Sequence, residues 1–343
     1  MSLGDRKLAI LKIIIDDFIN NASPVGSRTI AKKYPLGISS ATVRNEMADL
    51  EELGYLSQPH TSAGRIPSEL GYRMYVDSLI KEKNLKKDQR NLVRGLLLNN
   101  IIEVEDVISE AAEILSSMTG MIAMITLPKF NRSELSNLKF VKINDSKILM
   151  ILVNNSGLYK SLIINFSDTN QNVLDLLSDM FVERLKGLSI HDINLRIINS
   201  LKNDLPQLSN IIDYLIPILR DTLKELEDIE ICIKGKDNIF NIPEFRDFDK
   251  AKSFIESISS KKILEHLVNM NSEHDGLSVK IGTEIGIKEF QDISMVSSVY
   301  RFNEDNIGRL IILGPTRMDY SGVISIVKHT GDTLTEIFSG INL

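Results

Sequence analysis

The sequence predicts a multidomain α+β chain that opens with a winged helix-turn-helix. Three observations carry that reading. Three short helical patterns and then a hairpin pattern fill residues 5–67. Strand patterns cluster at 121–166 and return at 278–313. A block of helices separates the two clusters, so one α+β domain is interrupted by a mainly helical insertion. The expected divisions are 1–82 for the winged helix, 83–104 for a helical linker, 105–168 with 272–343 for the α+β domain, and 169–271 for the insertion.

Asp5–Asn20 is the first helix, with Leu8, Leu11, Ile15 and Phe18 on one stripe. Ala22-Ser23-Pro24 breaks it. Ser27 is read as the cap of a second helix that runs through Tyr34, with Ile30, Ala31 and Tyr34 inward. A turn at Pro35–Ile38 leads to a third helix. Ser39 caps it, because its hydroxyl can accept a first-turn backbone N–H. Val43, Met47 and Leu50 recur at i, i+4, i+7 and form its buried face. The N-terminal turn (Ser39, Ser40, Ala41, Thr42) and the outward positions Arg44, Asn45 and Ala48 are small or hydrogen-bonding. Arg can grip guanine bidentately, Asn can grip adenine, and a small apolar side chain can meet a thymine methyl. Asp49, Glu51 and Glu52 come late, where a recognition helix leaves the groove. Gly54 stops the helix.

Tyr55–Gln58 is a short strand ended by Pro59, and Arg65-Ile66 returns from the tip His60-Thr61-Ser62-Ala63-Gly64. A hydroxyl-rich tip between His60 and Arg65 suits phosphate or minor-groove contact. The bland alternative is an ordinary solvated helix and hairpin. Ser68–Lys81 is a further helix carrying Tyr72, Tyr75 and Leu79. Lys81–Arg94 is polar and mostly basic. It reads as a solvated helical linker in preference to an extra phosphate contact.

Glu103–Met118 is an amphipathic helix. Met121–Leu127, Leu138–Asn144, Lys147–Asn154 and Leu158–Phe166 are strands, with a hairpin at Asn144-Asp145. Asn170–Lys186, Asp192–Leu201 and Leu208–Leu226 are helices. Ile229–Lys234 and Ile239–Asn241 are short strands, and Asp247–Met270 is helical. Ser278–Thr283, Ser294–Tyr300 and Gly308–Leu313 are strands, and a last helix covers about 318–338. Ile211, Ile212, Leu215, Ile216, Ile218, Leu219, Leu223 and Leu226 make an apolar arc wider than one face. It fits either a fully buried core helix or a helix with a second burial surface. In Gly314–Tyr320, Pro315 fixes a turn, and Thr316 with Asp319 resembles a capping box that opens the last helix. Capping is preferred over anion binding by Arg317.

The 343 residues are 43% apolar, ample for packed cores, and carry a net charge of −6. Any DNA contact is then a local basic patch, supplied by Arg28, Lys32, Lys33, Arg44 and Arg65. Cys232 is the only cysteine, which excludes an intrachain disulfide and a cysteine-rich zinc site. It reads as a small core residue. Met1–Gly4 leads straight into a charged amphipathic helix, so no signal peptide is expected, nor any membrane span. The expected compartment is the cytoplasm. His60, His191, His266, His274 and His329 are scattered, with no pair at metal-ligand spacing. The sequence contains no phosphate-binding glycine loop, no dinucleotide fingerprint and no nucleophile elbow. No enzyme, cofactor or metal site is expected.

Val25–Tyr75 resembles the N-terminal domain of the HrcA family of bacterial heat-inducible transcription repressors, on the blocks ATVRNEMADLEELGYL and PHTSAGRIP. The resemblance returns at Ile281–Tyr320 with IGTE, SMVSSVY and GPTRMDY. Ile285 departs from it, since the family has Asn after IGTE. The resemblance implies a GAF-like domain split by an inserted dimerisation domain, and a homodimer on an inverted-repeat operator upstream of chaperone operons. It also implies that the chaperonin GroEL keeps the repressor active. It favours the dimer option for the apolar arc, with Ile211, Ile212, Leu215, Ile218, Leu219 and Leu223 at the interface. The competing function is a ligand-sensing regulator that uses the GAF-like domain as a small-molecule pocket.

Overall fold

The computed structural model of the chain describes residues 4–34, 37–60, 64–80, 85, 87–99, 104–127, 134–155, 159–167, 169–189, 192–204, 206–227, 230–270, 276–302 and 307–340. It is a mixed helix-and-sheet fold in two compact units. One comprises Met1–Leu127, Ile231–Phe302 and Gly308–Gly340, and the other is essentially Pro128–Glu230.

The first unit opens with α1 (Asp5–Asn21), α2 (Ser27–Lys33) and α3 (Ser40–Glu52). They lead to an antiparallel pair, β1 (Leu56–Ser57) with β2 (Ile66–Pro67). Ile10, Leu11, Ile14, Ile15, Ile30, Val43, Met47, Leu50 and Leu56 form their shared core. Ser27 is not a cap: it is already helical, and Gly26 precedes it in extended conformation with no side chain to donate or accept. Ser68 caps α4 (Glu69–Met74), accepting from the Gly71 amide at 3.1 Å. The chain then widens into a π turn over Tyr75–Leu79 and turns extended at Ile80, where a plain helix was expected. Next come α5 (Lys87–Asn99), α6 (Val104–Thr119) and β3 (Ile122–Thr126). α5 is no solvated linker. Val93 is fully buried, and the helix packs on α6 and on the last helix of the chain.

The second unit contains β4 (Leu135–Asn144), β5 (Lys147–Asn154) and β6 (Tyr159–Asn165), a separate three-stranded antiparallel sheet. α7 (Gln171–Leu185), α8 (Leu195–Asp204) and α9 (Ser209–Glu227) complete it. Leu138, Phe140, Ile148, Met150, Leu152 and Ile164 from the sheet meet Leu174, Leu177 and Phe181 from α7 in one core. That core also takes Ile212, Leu215, Ile216, Leu219 and Leu223 from α9, with Ile211 and Ile218 partly buried against it. The apolar arc is therefore internal to this unit. The core takes most of the arc, and only Ile211 and Ile218 among its described side chains stay partly exposed. The Leu226 side chain lies outside the described residues.

The chain re-enters the first unit at β7 (Ile231–Lys234). Residues 236–241 form a 3-10 turn where a strand was expected, and α10 (Phe248–Ser257) and α11 (Lys261–Asn269) replace a single helix. Strands β8 (Ser278–Ile281), β9 (Ile293–Arg301) and β10 (Ile307–Pro315) follow, then α12 (Tyr320–Gly340). The sheet order is β7-β3-β10-β9-β8. β3 is the hinge of this topology, with Met124 opposite both Ile311 and Ile233.

The expected interruption at 169–271 is therefore displaced: the chain leaves at about residue 128 and returns by 231. The reason is visible in side-chain period. All five residues of β3 are buried, and β10 is buried almost throughout, as strands covered on both faces must be. β4 and β5 alternate buried with exposed, which suits a sheet covered on one side.

At the start of α12 the cap is Asp319, whose carboxylate accepts from the Gly322 amide at 3.2 Å. Thr316 is not the capping residue, because the helix begins only at Tyr320. Arg317 grips Glu244, with Nε to Oε1 at 2.6 Å. Ile285, in the place of the expected Asn, is fully buried and fills the core beneath the 3-10 turn at Gly282–Ile285.

Candidate nucleic-acid interface

α3 is the element on which the candidate residues converge. Ser39 caps it as expected, with its hydroxyl accepting from the Thr42 amide at 3.1 Å and lying 3.0 Å from the Thr42 hydroxyl. Val43, Met47 and Leu50 anchor the inner face. Ser39, Ser40, Ala41, Arg44, Asn45 and Ala48 are all exposed, on a surface that begins at the electropositive end of the helix. Gly54 follows with φ 81° and ends the helix.

Three carboxylates of α3, Glu46, Asp49 and Glu51, are paired with cations of the same domain. Lys7 on α1 contacts Glu46 and Asp49, both at 2.8 Å, and Arg6 reaches Glu46 at 3.6 Å. The bonds to Asp49 and Glu46 raise the Lys7 ammonium above its ordinary range. Glu51 holds Arg65 at 2.7 Å. No local sequence signal points to Lys7. It sits 39 residues from Glu46, and only the packing of α1 on α3 brings the two together.

Arg28 and Lys32 on α2 are exposed. Lys33 is ion-paired with Asp17, a largely buried carboxylate that also accepts from the Tyr34 hydroxyl. The bond from Lys33 holds the Asp17 carboxyl below the usual carboxylate range. Arg65 differs most from expectation. Besides its pair with Glu51, its backbone is bridged to Val25 in both directions at 2.9 Å, and its Nε is enclosed by protein. It acts as a rivet between hairpin, α3 and the α1–α2 turn. Gly64 beside it is required by this close approach, since a Cβ there would overlap the Val25 carbonyl. His60 is exposed, while Thr61 and Ser62 lie outside the described residues.

Cys232 is half-buried on the edge strand β7, a more open place than the core expected for it. His191 and His274 lie outside the described residues. Among the described residues no His, Cys, Asp or Glu cluster could hold a metal ion. No described helix is long and apolar enough to cross a membrane.

Residues 105–324 match the family model for the HrcA protein C-terminal domain. The chain is 41% identical to the heat-inducible transcription repressor HrcA of Clostridium acetobutylicum, over all of this chain and 99% of the relative. It is 40% identical to that of Clostridium perfringens strain 13, over 97% of this chain and 98% of the relative. The chain belongs to the HrcA family of heat-inducible transcription repressors. These are repressors by name, not enzymes, and the names match the leading functional reading over the ligand-sensing alternative. A crystal structure described only as that of a hypothetical protein shares the fold, with a TM-score of 0.66 at 22% identity over 98% of this chain and 99% of that one.

Proposed function

We propose that this HrcA-family repressor binds double-stranded DNA through a winged helix-turn-helix built from α1–α3 and the β1–β2 hairpin. The observation that carries the reading is the outward face of α3. Arg44 and Asn45 stand exposed between Ala41 and Ala48, while Glu46, Asp49 and Glu51 are held by cations of the domain itself. Arg44 and Asn45 read base edges in the major groove. Ser39, Ser40 and Thr42 offer hydroxyls to a phosphate at the helix N-terminus, where the Thr42 amide is already bonded to Ser39, and Arg28, Lys32 and His60 flank it. Thr61 and Ser62, outside the described residues, are assigned to the same contact from the sequence alone. Lys33 and Arg65 support the domain first and add only their residual field.

The five-stranded unit is the GAF-like domain, and Pro128–Glu230 is the inserted dimerisation domain. The dimer surface is the outer face of β4–β6 and not the α9 arc. Val141, Ile143, Tyr159 and Ile163 are exposed there, and Leu149, Ile151 and Val153 lie between them half-covered. Of its two cations, Lys139 is already paired with Asp175 at 2.7 Å, and Lys147 sits at the end of β5. A patch that is apolar and nearly uncharged suits a second copy of itself across a two-fold axis. The dimer then presents two α3 helices to an inverted repeat upstream of chaperone operons, with GroEL keeping the repressor active.

The test is binding to a duplex carrying an inverted repeat from a chaperone promoter, at several stated salt concentrations. Tight binding to the repeat and weak binding to a scrambled duplex of equal length are expected. Equal affinity for both would overturn the proposal.

A further inference from the structure

The family blocks at the two ends of the chain meet. α4, which follows the hairpin, lies against β8 and the turn at Gly282–Ile285. Arg73 Nε donates to Glu284 Oε1 at 2.9 Å, and a second guanidinium nitrogen reaches Glu284 Oε2 and the Val279 carbonyl, the latter at 2.7 Å. Glu69 accepts from the Thr283 amide at 3.1 Å and from the Thr283 hydroxyl. Glu284 also accepts from the Ile281 amide at 2.9 Å, so its orientation depends on the turn being formed. Gly282 has φ 52°, and a Cβ there would overlap the Glu69 carboxylate and come within 2.8 Å of the Gln291 carbonyl. Between the two polar pairs, Tyr72 is buried against Tyr320, with ring centroids 6.0 Å apart. Tyr320 bonds Ser294 of β9 at 2.7 Å.

Every acceptor on the core side belongs to the edge of the five-stranded sheet. β8 is the outermost strand, and residues 281–284 fold as a turn directly after it. On the other side α4 is tied to the DNA-facing region. The Ser68 hydroxyl donates to the Gly54 carbonyl at 2.6 Å, the Ser68 amide donates to Tyr55 at 3.1 Å, and the Tyr75 hydroxyl donates to Asp16 of α1 at 2.6 Å.

We propose that Arg73–Glu284 and Glu69–Thr283 form a latch that holds α3 in one orientation only when β8 has joined the core sheet. The inference rests on the DNA-binding reading above. It adds a means by which completion of the interrupted sheet is reported to the DNA-contacting helix. A bidentate Arg–carboxylate pair gives orientation as well as attraction, which a lone surface ion pair does not. A two-site operator is sensitive to orientation, because both helices of a dimer must enter the groove at a fixed spacing. A single half-site has no such requirement.

The experiment uses the full chain and the variants Arg73→Glu, Glu284→Arg and the two combined. Amide hydrogen exchange without DNA is followed over 69–79 and 278–285, with β9 and α6 as folding controls. Binding is measured to an inverted repeat from a chaperone promoter and to its isolated half-site. Each single variant is expected to speed exchange in both latch segments and leave β9 and α6 protected. Affinity for the full repeat should fall at least tenfold and affinity for the half-site less than twofold. The charge-reversed pair should recover most of both losses. Single variants that loosen the latch yet bind the full repeat like the wild type overturn the proposal, as does unchanged exchange. Loss of protection in β9 in the single variants, without recovery in the pair, also overturns it, because the contact would then be part of the core. A wild-type chain that binds neither duplex sinks the DNA-binding reading, and the latch proposal with it, even if exchange behaves as expected.

Discussion

At the scale of single residues, exposure separates readers from supports. Arg44 is exposed on α3. Arg44→Ala should cost about 1–3 kcal/mol of operator binding and relax specificity at one base pair while the melting temperature stays put. Unchanged affinity and specificity in a filter-binding or anisotropy assay would sink the assignment of α3. Arg65 has the opposite character, since it is riveted to Glu51 and Val25. Arg65→Ala should destabilise the chain by about 1 kcal/mol, the upper range for a partly screened pair, and any loss of DNA affinity should be shared by all sequences. Thermal denaturation beside a salt titration checks both halves. Glu284 adds a pH dependence. Burial alone would raise its carboxyl, but the bonds from Arg73 and the Ile281 amide hold it below the ordinary range. A carboxyl lowered on folding stabilises above its unfolded pKa, about 4.5, and that stabilisation fades as pH falls through the folded value. Latch-segment protection, taken relative to the intrinsic exchange rate at each pH, should therefore be high at neutral pH and fall below pH 4.5, and Glu284→Gln should remove that dependence.

At the scale of elements, the sequence makes some features legible and hides others for physical reasons. α3 was readable to within a residue because its cap, its 3.6-period core face and its glycine stop are all local. β5 was readable because turn and alternation are local too. The role of α9 is not legible in its sequence, because an apolar arc records how much of a helix is buried, not what buries it. Here β4–β6, α7 and α8 do so within the same unit. The exposure of Arg44 and Asn45 on α3 is legible from helical period, but the engagement of Lys33 and Arg65 depends on partners 16 and 14 residues away. The corrected placement makes a paired prediction. Leu219→Ala removes a buried α9 side chain and should cost about 2–5 kcal/mol in denaturant unfolding while leaving the oligomeric state unchanged once folded. Ile163→Lys on the outer sheet face should leave stability near wild type and turn a dimer into monomer in sedimentation velocity. A monomeric Leu219→Ala beside a dimeric Ile163→Lys would return the interface to α9.

At the scale of the whole molecule, the arrangement of the five-stranded sheet gives a physical route by which folding and repression would be coupled. β3 must pair with β10, and the Arg309 amide reaches the Thr126 hydroxyl across 183 positions of chain. β7 must add to the other side of β3, and β8 must add to β9. The β3–β10 and β3–β7 pairs cannot form until the long chain between them has been brought to closure, so the entropic cost comes before the contacts that offset it. The local β8–β9 pair reaches the sheet only through β10. During that interval the apolar strands β3 and β10 lack their partners. Slow closure with exposed apolar edges favours aggregation. A chaperonin that encloses single chains would raise the yield. Heat would draw it to other unfolded chains and leave less active repressor. Spontaneous refolding from denaturant should therefore be poor, and chaperonin with ATP should raise it several-fold. Because the latch needs β8 in place, operator binding should recover with protection of 278–285 and not with the earlier, local protection of α1–α3. Refolding that is complete without help at 37 °C, with operator binding indifferent to chaperonin, would show that the coupling does not run through folding. Operator binding that returns before 278–285 is protected would detach the DNA-contacting region from the closure of the sheet.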